Sequence, residues 1–502
     1  MIPNEGTVPP QGWICTTVGE AFELVGGGTP PTEHSEYWKG SIPWITSADI
    51  DERGNITPHE KITEEAIAAS ATNRVPAGSI IVVTRVGLGK VGIAREDLCY
   101  NQDCQALLFN SKLLDPSFVA LQLRQAVSIF KHIGRGTTIS GVTKRQLSNV
   151  EFLLAPTPEQ HRIVAEIEKQ FTRLDSGIAA LSRVRGRLKN YRASLLKTAC
   201  EGRLVPTEAQ LAHADSRQYE SADRLLKRIL ERRYSEWASG GLGKMKSKGD
   251  VLKYKDPVRP ETGNLPSLPE GWCLASLEQL TSGVRTICYG ILMPKENVPD
   301  GVPYVQVRDI QRDRIYVAGL YRTAPKIAAA YARASLKPHD LVLAIRGTWG
   351  RIAEVPDELG GANISRDIAR LDLTGLTDRS YLATYLRGPL AQDYLKRAAR
   401  GVAVRGVNIQ DVKRTPIMLP PVVEQQRISA EVNRRISILH EVEETIDVNL
   451  RRAEHLRQSV LVKAFKGELV QQNPEDELAS VVLDRVRIER VQTQRMRRAR
   501  QS

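Results

Sequence analysis

The chain has 502 residues, with 71 Lys and Arg against 58 Asp and Glu, a formal net charge of +13. Its 41% hydrophobic and 26% charged content exclude widespread disorder, and 5% aromatics exclude an aromatic-rich sugar- or RNA-stacking surface. The basic excess favours an acidic partner, nucleic acid first.

The start, Met1 to Gly6, has no basic n-region or apolar h-region and does not read as a secretory signal. No apolar run reaches the roughly 18–20 residues of a membrane helix. The six cysteines include no C-x-x-C pair, so free thiols in a reducing cytoplasm are expected. Residues 1–155 alternate short apolar runs with Gly, Pro, Asn and Asp, the pattern of strands and loops. Ser117–Lys131 carries helical periodicity. This first head is read as an α+β domain.

Within it, Gly87-Leu88-Gly89-Lys90-Val91-Gly92 fits G-x-G-x-x-G. A dinucleotide site needs a helix to open there, and Ile93 to Leu98 has no helical stripe. The expected structure is a glycine-rich turn between strands.

A long helix is expected over 156–205. Pro158 and Glu159 suit a first turn. Ile163, Ile167, Phe171, Leu174, Ile178, Leu181, Val184, Leu188, Tyr191 and Leu195 then step by three or four residues, a near-heptad seam. Such a rod, about 60 Å from Pro158 to Cys200, outgrows one domain. Residues 206–264 read as a short basic helix and a flexible linker containing Gly240 to Gly249. A second α+β head spans 265–420, with helical periodicity over Arg379–Ala399. A second long helix spans 421–470, its seam offering Ile428, Val432, Ile436, Leu439, Ile446, Leu456 and Val460, broken at Glu443 and Asn449. Residues 471–502 read as a short basic C-terminal helix or tail, with Arg495 to Arg500 expected to be tail.

The second half repeats the first. Pro10-Gln11-Gly12-Trp13 returns as Pro269-Glu270-Gly271-Trp272, 259 residues later. Gly136, Glu159-Gln160 and Leu204-Val205 return as Gly401, Glu424-Gln425 and Leu469-Val470, each 265 residues later. The unit is a head, a long helix and a short basic helix, and it occurs twice. The two long helices are natural partners. Paired antiparallel, they would set the heads at opposite ends about a pseudo-twofold axis.

Catalytic signatures are missing. There is no P-loop, no H-E-x-x-H or paired Cys/His cluster, no G-x-S-x-G elbow, and no Asn-Pro-Pro-aromatic tetrapeptide of a base methyltransferase. The histidines are scattered, and His161 becomes Gln426 in the second copy. The chemistry reads as recognition. Arg85 and Arg346, and Lys90 and Arg351, flank the glycine turn; Arg135 precedes Gly136-Thr137-Thr138, and Arg400 precedes Gly401; Lys144 and Lys413 follow. With Thr46, Ser47, Arg308 and Arg405 they are the candidate DNA contacts, since Arg and Lys pair with phosphate or guanine and Ser and Thr reach either.

The chain resembles, over essentially its whole length, the specificity (S) subunit of type I restriction–modification enzymes. The residues that carry this are Gly26-Gly27-Gly28-Thr29-Pro30 through Glu36-Tyr37-Trp38, Ile42-Pro43-Trp44-Ile45 and Asp49-Ile50. Gly136-Thr137-Thr138-Ile139 leading to Pro158-Glu159-Gln160, and Ala464-Phe465 to Gly467 and Leu469-Val470, complete the set. The second head lacks the Gly-Gly-Gly-Thr-Pro run, and Cys200 stands where copy two has Phe465. The resemblance implies two target recognition domains on an antiparallel coiled coil, each reading one half of a bipartite double-stranded DNA site, with the helices as a ruler for the unread gap. It implies two modification subunits that bind S-adenosylmethionine and two restriction subunits that use ATP and magnesium, directed to adenine methylation and cleavage. This chain would hold no cofactor or metal and would not be an enzyme. Glu159, Gln160, Arg162, Glu424, Gln425, Arg427 and Phe465 are the candidate partner-docking residues. The alternatives are a stand-alone DNA-binding regulator with an internal twofold, which would act without partners, and a methyltransferase in its own right, against which the missing tetrapeptide argues.

Overall fold

The computed structural model describes residues 9–128, 141–239, 246–247, 250–251, 253–263, 265–401 and 405–501. They form two compact units. One joins Met1–Leu181 to Val448–Ser502; the other is Ser182–Asp447. Each unit therefore contains one head and one part of each long helix.

In the first unit, strands Glu23–Gly26, Cys104–Leu108, Ile80–Val83 and Val91–Ile93 lie in that order in an antiparallel sheet. Ile80–Val83 is buried on both faces, which explains a continuous Ile-Ile-Val-Val run in place of alternation. A three-stranded sheet centres on Ile42–Ile45, antiparallel to Glu60–Ile62 and parallel to Cys99–Tyr100. Ile14–Thr17 pairs with Glu151–Leu154 and leads the chain into the first long helix, Thr157–Cys200. The helix Pro116–Ser128 opens where Asp115 Oδ1 accepts from the backbone N–H of Ser117 at 2.8 Å. It packs Phe118 into one core with Trp13, Phe152, Ile163 and Ile167.

That core is completed from the far end of the chain. Val460, Ala464 and Phe465 of the second long helix, Val422–Phe465, belong to it, as do Ala479, Val482, Leu483 and Val486 of the C-terminal helix, Ala479–Gln501. Phe465 meets Phe118 edge to face at 5.7 Å. Ala479 N–H donates to Gly12 O at 2.9 Å. Arg490 Nη1 donates to Gly19 O at 2.5 Å. The C-terminal segment is thus a docked helix; the side chains of the expected Arg495–Arg500 tail lie outside the described residues.

The second unit repeats this plan. Strands Cys288–Tyr289, Ile368–Leu371, Leu341–Ala344 and Ile352–Glu354 form its antiparallel sheet. Val302–Val305 centres a three-stranded one, and Cys273–Ser276 pairs with Pro416–Leu419. Its core takes Leu196, Ala199 and Cys200 from the first long helix and Ala222, Leu225 and Ile229 from the helix Ala222–Ser239. Ala222 N–H donates to Gly271 O at 2.8 Å, and Arg233 Nη1 to Glu278 O at 2.7 Å. The expected helix Arg379–Ala399 is two, Arg379–Arg387 and Pro389–Ala398. Pro389 has no N–H to continue the ladder.

The docking candidates read from sequence all make contacts inside their own unit, and five of the seven are buried there. Trp13 Nε1 donates to Glu159 Oε2 at 3.0 Å, as Trp272 Nε1 does to Glu424 Oε1 at 3.0 Å. Gln160 accepts from Asp115 N at 2.9 Å and donates to Ala155 O; Gln425 accepts from Asp378 N at 2.8 Å and donates to Pro420 O. Arg162 pairs with Asp476 at 2.5 Å, and Arg427 with Glu208 at 2.6 Å. All four Glu and Gln side chains are buried, and Phe465 is core. The Glu and Gln side chains have their polar atoms engaged within their own unit, while Arg162 and Arg427 keep part of their side chains exposed. Burial raises both carboxyl groups, Glu159 and Glu424, and the indole N–H donors oppose it only in part.

Each long helix closes on a glycine in the left-handed region, Gly202 at φ 69° and Gly467 at φ 71°. A Cβ at Gly467 would stand 2.8 Å from Pro10, and one at Gly202 2.7 Å from Pro269. Within each unit the helix segments run antiparallel. In the second, Arg185 pairs with Asp447, and Arg435 Nη1 donates to Tyr191 OH at 3.2 Å. In the first, Arg457 pairs with Asp175 and lies 4.9 Å over Phe171. The seam differs from expectation in its middle. Val184 and Tyr191 are exposed, and Leu456 is 45% exposed while Ala453 and Arg457 turn inward. Among the described residues the six cysteines are free, and no helix is long and apolar enough to cross a membrane.

Candidate nucleic-acid interface

In both heads the basic residues gather at the C-terminal end of the doubly buried strand. In the first, Ile80–Val83 runs into Thr84 and the exposed Arg85. The turn beyond it has positive φ at Gly87 and Gly89 and is closed by Val83 N–H to Lys90 O at 2.9 Å. It joins Ile80–Val83 to Val91–Ile93, the strand-to-strand turn expected. Beside it, Val142 N–H donates to Thr84 O at 2.7 Å. A Cβ on Gly141 would fall 2.7 Å from Arg85 Cγ, so glycine lets the two segments meet. That contact brings the exposed Lys144, at the start of the helix Lys144–Ser148, to the same edge as Arg85.

The second head builds the same edge with other residues. Arg346 bridges Gly406, where a Cβ would again fall 2.7 Å from the arginine Cγ. Arg400 and Gly406 exchange two backbone hydrogen bonds of 2.9 Å. Arg346, Arg400 and Arg405 are exposed. Arg308 lies 4.1 Å over the ring of Tyr321, which orients its guanidinium while leaving the side chain 54% exposed. It opens onto a cleft of about 740 Å³ shared with Gln311, Arg312, Gly347, Thr348 and Arg351.

Other candidates hold the scaffold. Lys90 Nζ donates to Ser47 O at 3.3 Å, and Arg351 Nη1 to Ile310 O at 2.9 Å and Val307 O at 3.3 Å. These equivalent bonds tie the glycine turn to the short turns Ser47–Asp49 and Val307–Asp309. Ser47 is buried. Thr46 caps its turn: its hydroxyl accepts from Ala48 N–H at 3.2 Å and donates to Asp49 Oδ2 at 2.8 Å. Burial alone would raise Asp49, but hydrogen bonds from His59 and Thr46 outweigh it and hold the carboxyl below its usual range. Lys413 is engaged by Glu278 at 2.8 Å and is largely covered. Arg135, Thr137 and Thr138 lie outside the described residues.

Sequence reasoning missed Arg312, at the tip of the hairpin Ile310–Gln311 and Arg314–Ile315. Its backbone, with Asp313, has positive φ at 47° and 62°. An Arg-Asp tip carries no Asn-Gly or Asp-Gly signal, so the turn is invisible in the sequence. Asp313 is held by Arg192 and by Arg387 at 3.4 Å, and Arg312 approaches Asp447 at 3.9 Å. Among the described residues no group of His, Cys, Asp and Glu could hold a metal ion. Cationic and polar donors gathered on a rigid strand end can bind and orient a polyanion.

Residues 10–180 match the family model described as the type I restriction modification DNA specificity domain. The chain is 25% identical over 362 residues to the type I restriction enzyme EcoBI specificity subunit of Escherichia coli, covering 70% of this chain and 67% of that protein. It is 21% identical over 500 residues to the EcoKI specificity subunit of Escherichia coli strain K12, covering 96% of both. A solved chain described as "Structural basis underlying complex assembly and conformational transition of the type I R-M system" aligns with a TM-score of 0.62 at 18% identity. The alignment covers 92% of this chain and all of that one, a likeness of fold.

Proposed function

We propose that the chain is a type I restriction–modification specificity subunit, a reading supported by the match of residues 10–180 to that family's model and by the similarity to two Escherichia coli specificity subunits, and that each head reads one half of a bipartite double-stranded DNA site. In this reading the chain is the non-catalytic subunit. It directs two modification subunits to adenine methylation and two restriction subunits to ATP-dependent cleavage. The observation that carries it is the repeated edge: exposed arginines at the end of the same doubly buried strand, beside the same glycine contact, in both heads. Exposed cations on a rigid strand end suit the major groove, where arginine can bond guanine O6 and N7 together. The different residues at the two edges fit two different half-sites. Arg85 and Lys144 are the proposed contacts of the first head, with Arg135, Thr137 and Thr138. Arg308, Arg346, Arg400 and Arg405 are those of the second.

The test is to co-express the chain with a modification subunit and map methylated adenines across a genome. A split motif with a fixed gap is expected, and scattered methylation would overturn the proposal. Arg85→Ala resolves the assignment further. A base-reading arginine contributes about 1–3 kcal/mol, so this variant should relax one half of the motif by about 5- to 150-fold and leave the other intact. Equal weakening of both halves would mean a phosphate or structural role.

A further inference from the structure

The second head carries a buried cation that its fold does not require. Arg370, on Ile368–Leu371, is 1% exposed. Its Nη2 donates to Thr286 O at 2.9 Å and lies 3.7 Å from Cys288 Sγ. Its Nε and Nη1 have no hydrogen-bond partner. A buried charge with unmatched donors is strongly unfavourable unless something compensates it. The repeat shows that the strand can do without it. Arg370 pairs across the sheet with Cys288 and Val342; at the same place in the first head, Ala106 pairs with Val25 and Ile81. That apolar site folds with no charge.

Arg370 lines a cavity of about 330 Å³ between the strand Cys288–Tyr289, the turn Ala332–Ala334 and Ile409. Arg285 and Arg333 line it too. Arg333 sits 5.5 Å over the ring of Tyr289. Two carboxylates stand at this edge, and Arg285 takes both: Asp340 at 2.9 Å and Asp372 at 3.1 Å. Arg370 also pulls electrostatically on Asp372, without a hydrogen bond to it. Three guanidinium groups thus face two carboxylates that are already engaged, and the excess charge is positive.

We propose that this cavity is an anion site, in which a phosphate-class oxyanion takes the free donors of Arg370. Two sources share that chemistry: a phosphate of the DNA backbone, which rests on the DNA-reading function above, and a free phosphate or phosphorylated small molecule, which does not. Cys288 reports on occupancy because it lines the same cavity and its thiol lies 3.7 Å from Arg370 Nη2.

The experiment uses the full chain with Cys15→Ser, which removes the exposed thiol. Alkylation of Cys288 by iodoacetamide is followed against inorganic phosphate, with chloride holding the ionic strength. Saturable slowing, several-fold at its limit and lost in Arg370→Met, supports the site and a free phosphate source. Slowing by cognate duplex alone supports the backbone source. The salt slope of DNA binding should then fall by about 0.9 in the variant, one phosphate contact. If neither phosphate nor duplex slows the reaction, or if Arg370→Met keeps the protection, the proposal is overturned. Should Arg370→Met fold poorly, Arg370→Ala with Cys288→Val restores the Ala–Val pair of the first head. In that chain the rise in Tm that phosphate gives the parent should vanish; its persistence overturns the site.

Discussion

Removing residues 471–502 will unfold the first head and leave the second folded. The deleted segment contributes Ala479, Val482, Leu483 and Val486 to the first core. It also supplies Asp476, the partner of Arg162, and Gln472, which donates to Glu159 at 3.4 Å. Losing one large buried aliphatic side chain costs about 2–5 kcal/mol. A domain of this size has about 5–15 kcal/mol in all, so losing several together exceeds what the head can bear. Hydrogen exchange measures it: Ile80–Val83 and Cys104–Leu108 should lose protection while Leu341–Ala344 and Ile368–Leu371 keep theirs. Equal protection in both heads would mean that the C-terminal helix is an accessory.

Trp272→Ala should destabilise the second unit by about 3–5 kcal/mol. The ring is 5% exposed and meets Tyr381 edge to face at 6.5 Å, so its loss leaves a cavity. It also strips Glu424 of one donor, leaving the backbone N–H of Glu208 at 2.8 Å. A buried carboxylate short of a donor adds to the cost. Thermal unfolding should show a drop of roughly 6–20 °C in the transition of this unit. Trp272→Phe should lie between, since it fills most of the space and returns no N–H. A drop below about 2 °C would mean that the tryptophan–glutamate joint stores little stability.

The repeat made most of the architecture legible, because one ungapped register aligned both long helices and the residues around them. Helix ends were readable for a local reason: a proline, Pro156 or Pro421, stands just before each helix and a left-handed glycine follows it. The pairing Trp13 to Glu159 was not readable. Glu-Gln-x-Arg-Ile recurs in sequence whether it faces a partner or its own core, and only burial separates the two. The seam failed at Leu456 because the choice between it and Arg457 depends on which face meets Phe171. At the interface, Arg85 and Arg346 stood out through their glycine turns. Lys90 and Arg351 stood out equally, yet their side chains bond neighbouring carbonyls. Sequence marks the cation; only the fold tells whether it is free. Arg370 was invisible because a single arginine within Ile-Ala-Arg-Leu reads as an ordinary exposed strand position.

The first core has a cost in time. It is begun by Trp13 and finished by Val486. Between Ala155 and Ala464 lie about 300 residues, roughly 15–60 s of synthesis at about 5–20 residues per second. Through that interval the nascent first head presents the apolar faces of Phe118, Ile163 and Ile167 without Phe465 or Leu483 to cover them. The second unit, Ser182–Asp447, is whole while the ribosome is still working on the last segment. The half made first is therefore the half completed last, and it is the one that most needs shelter at the ribosome.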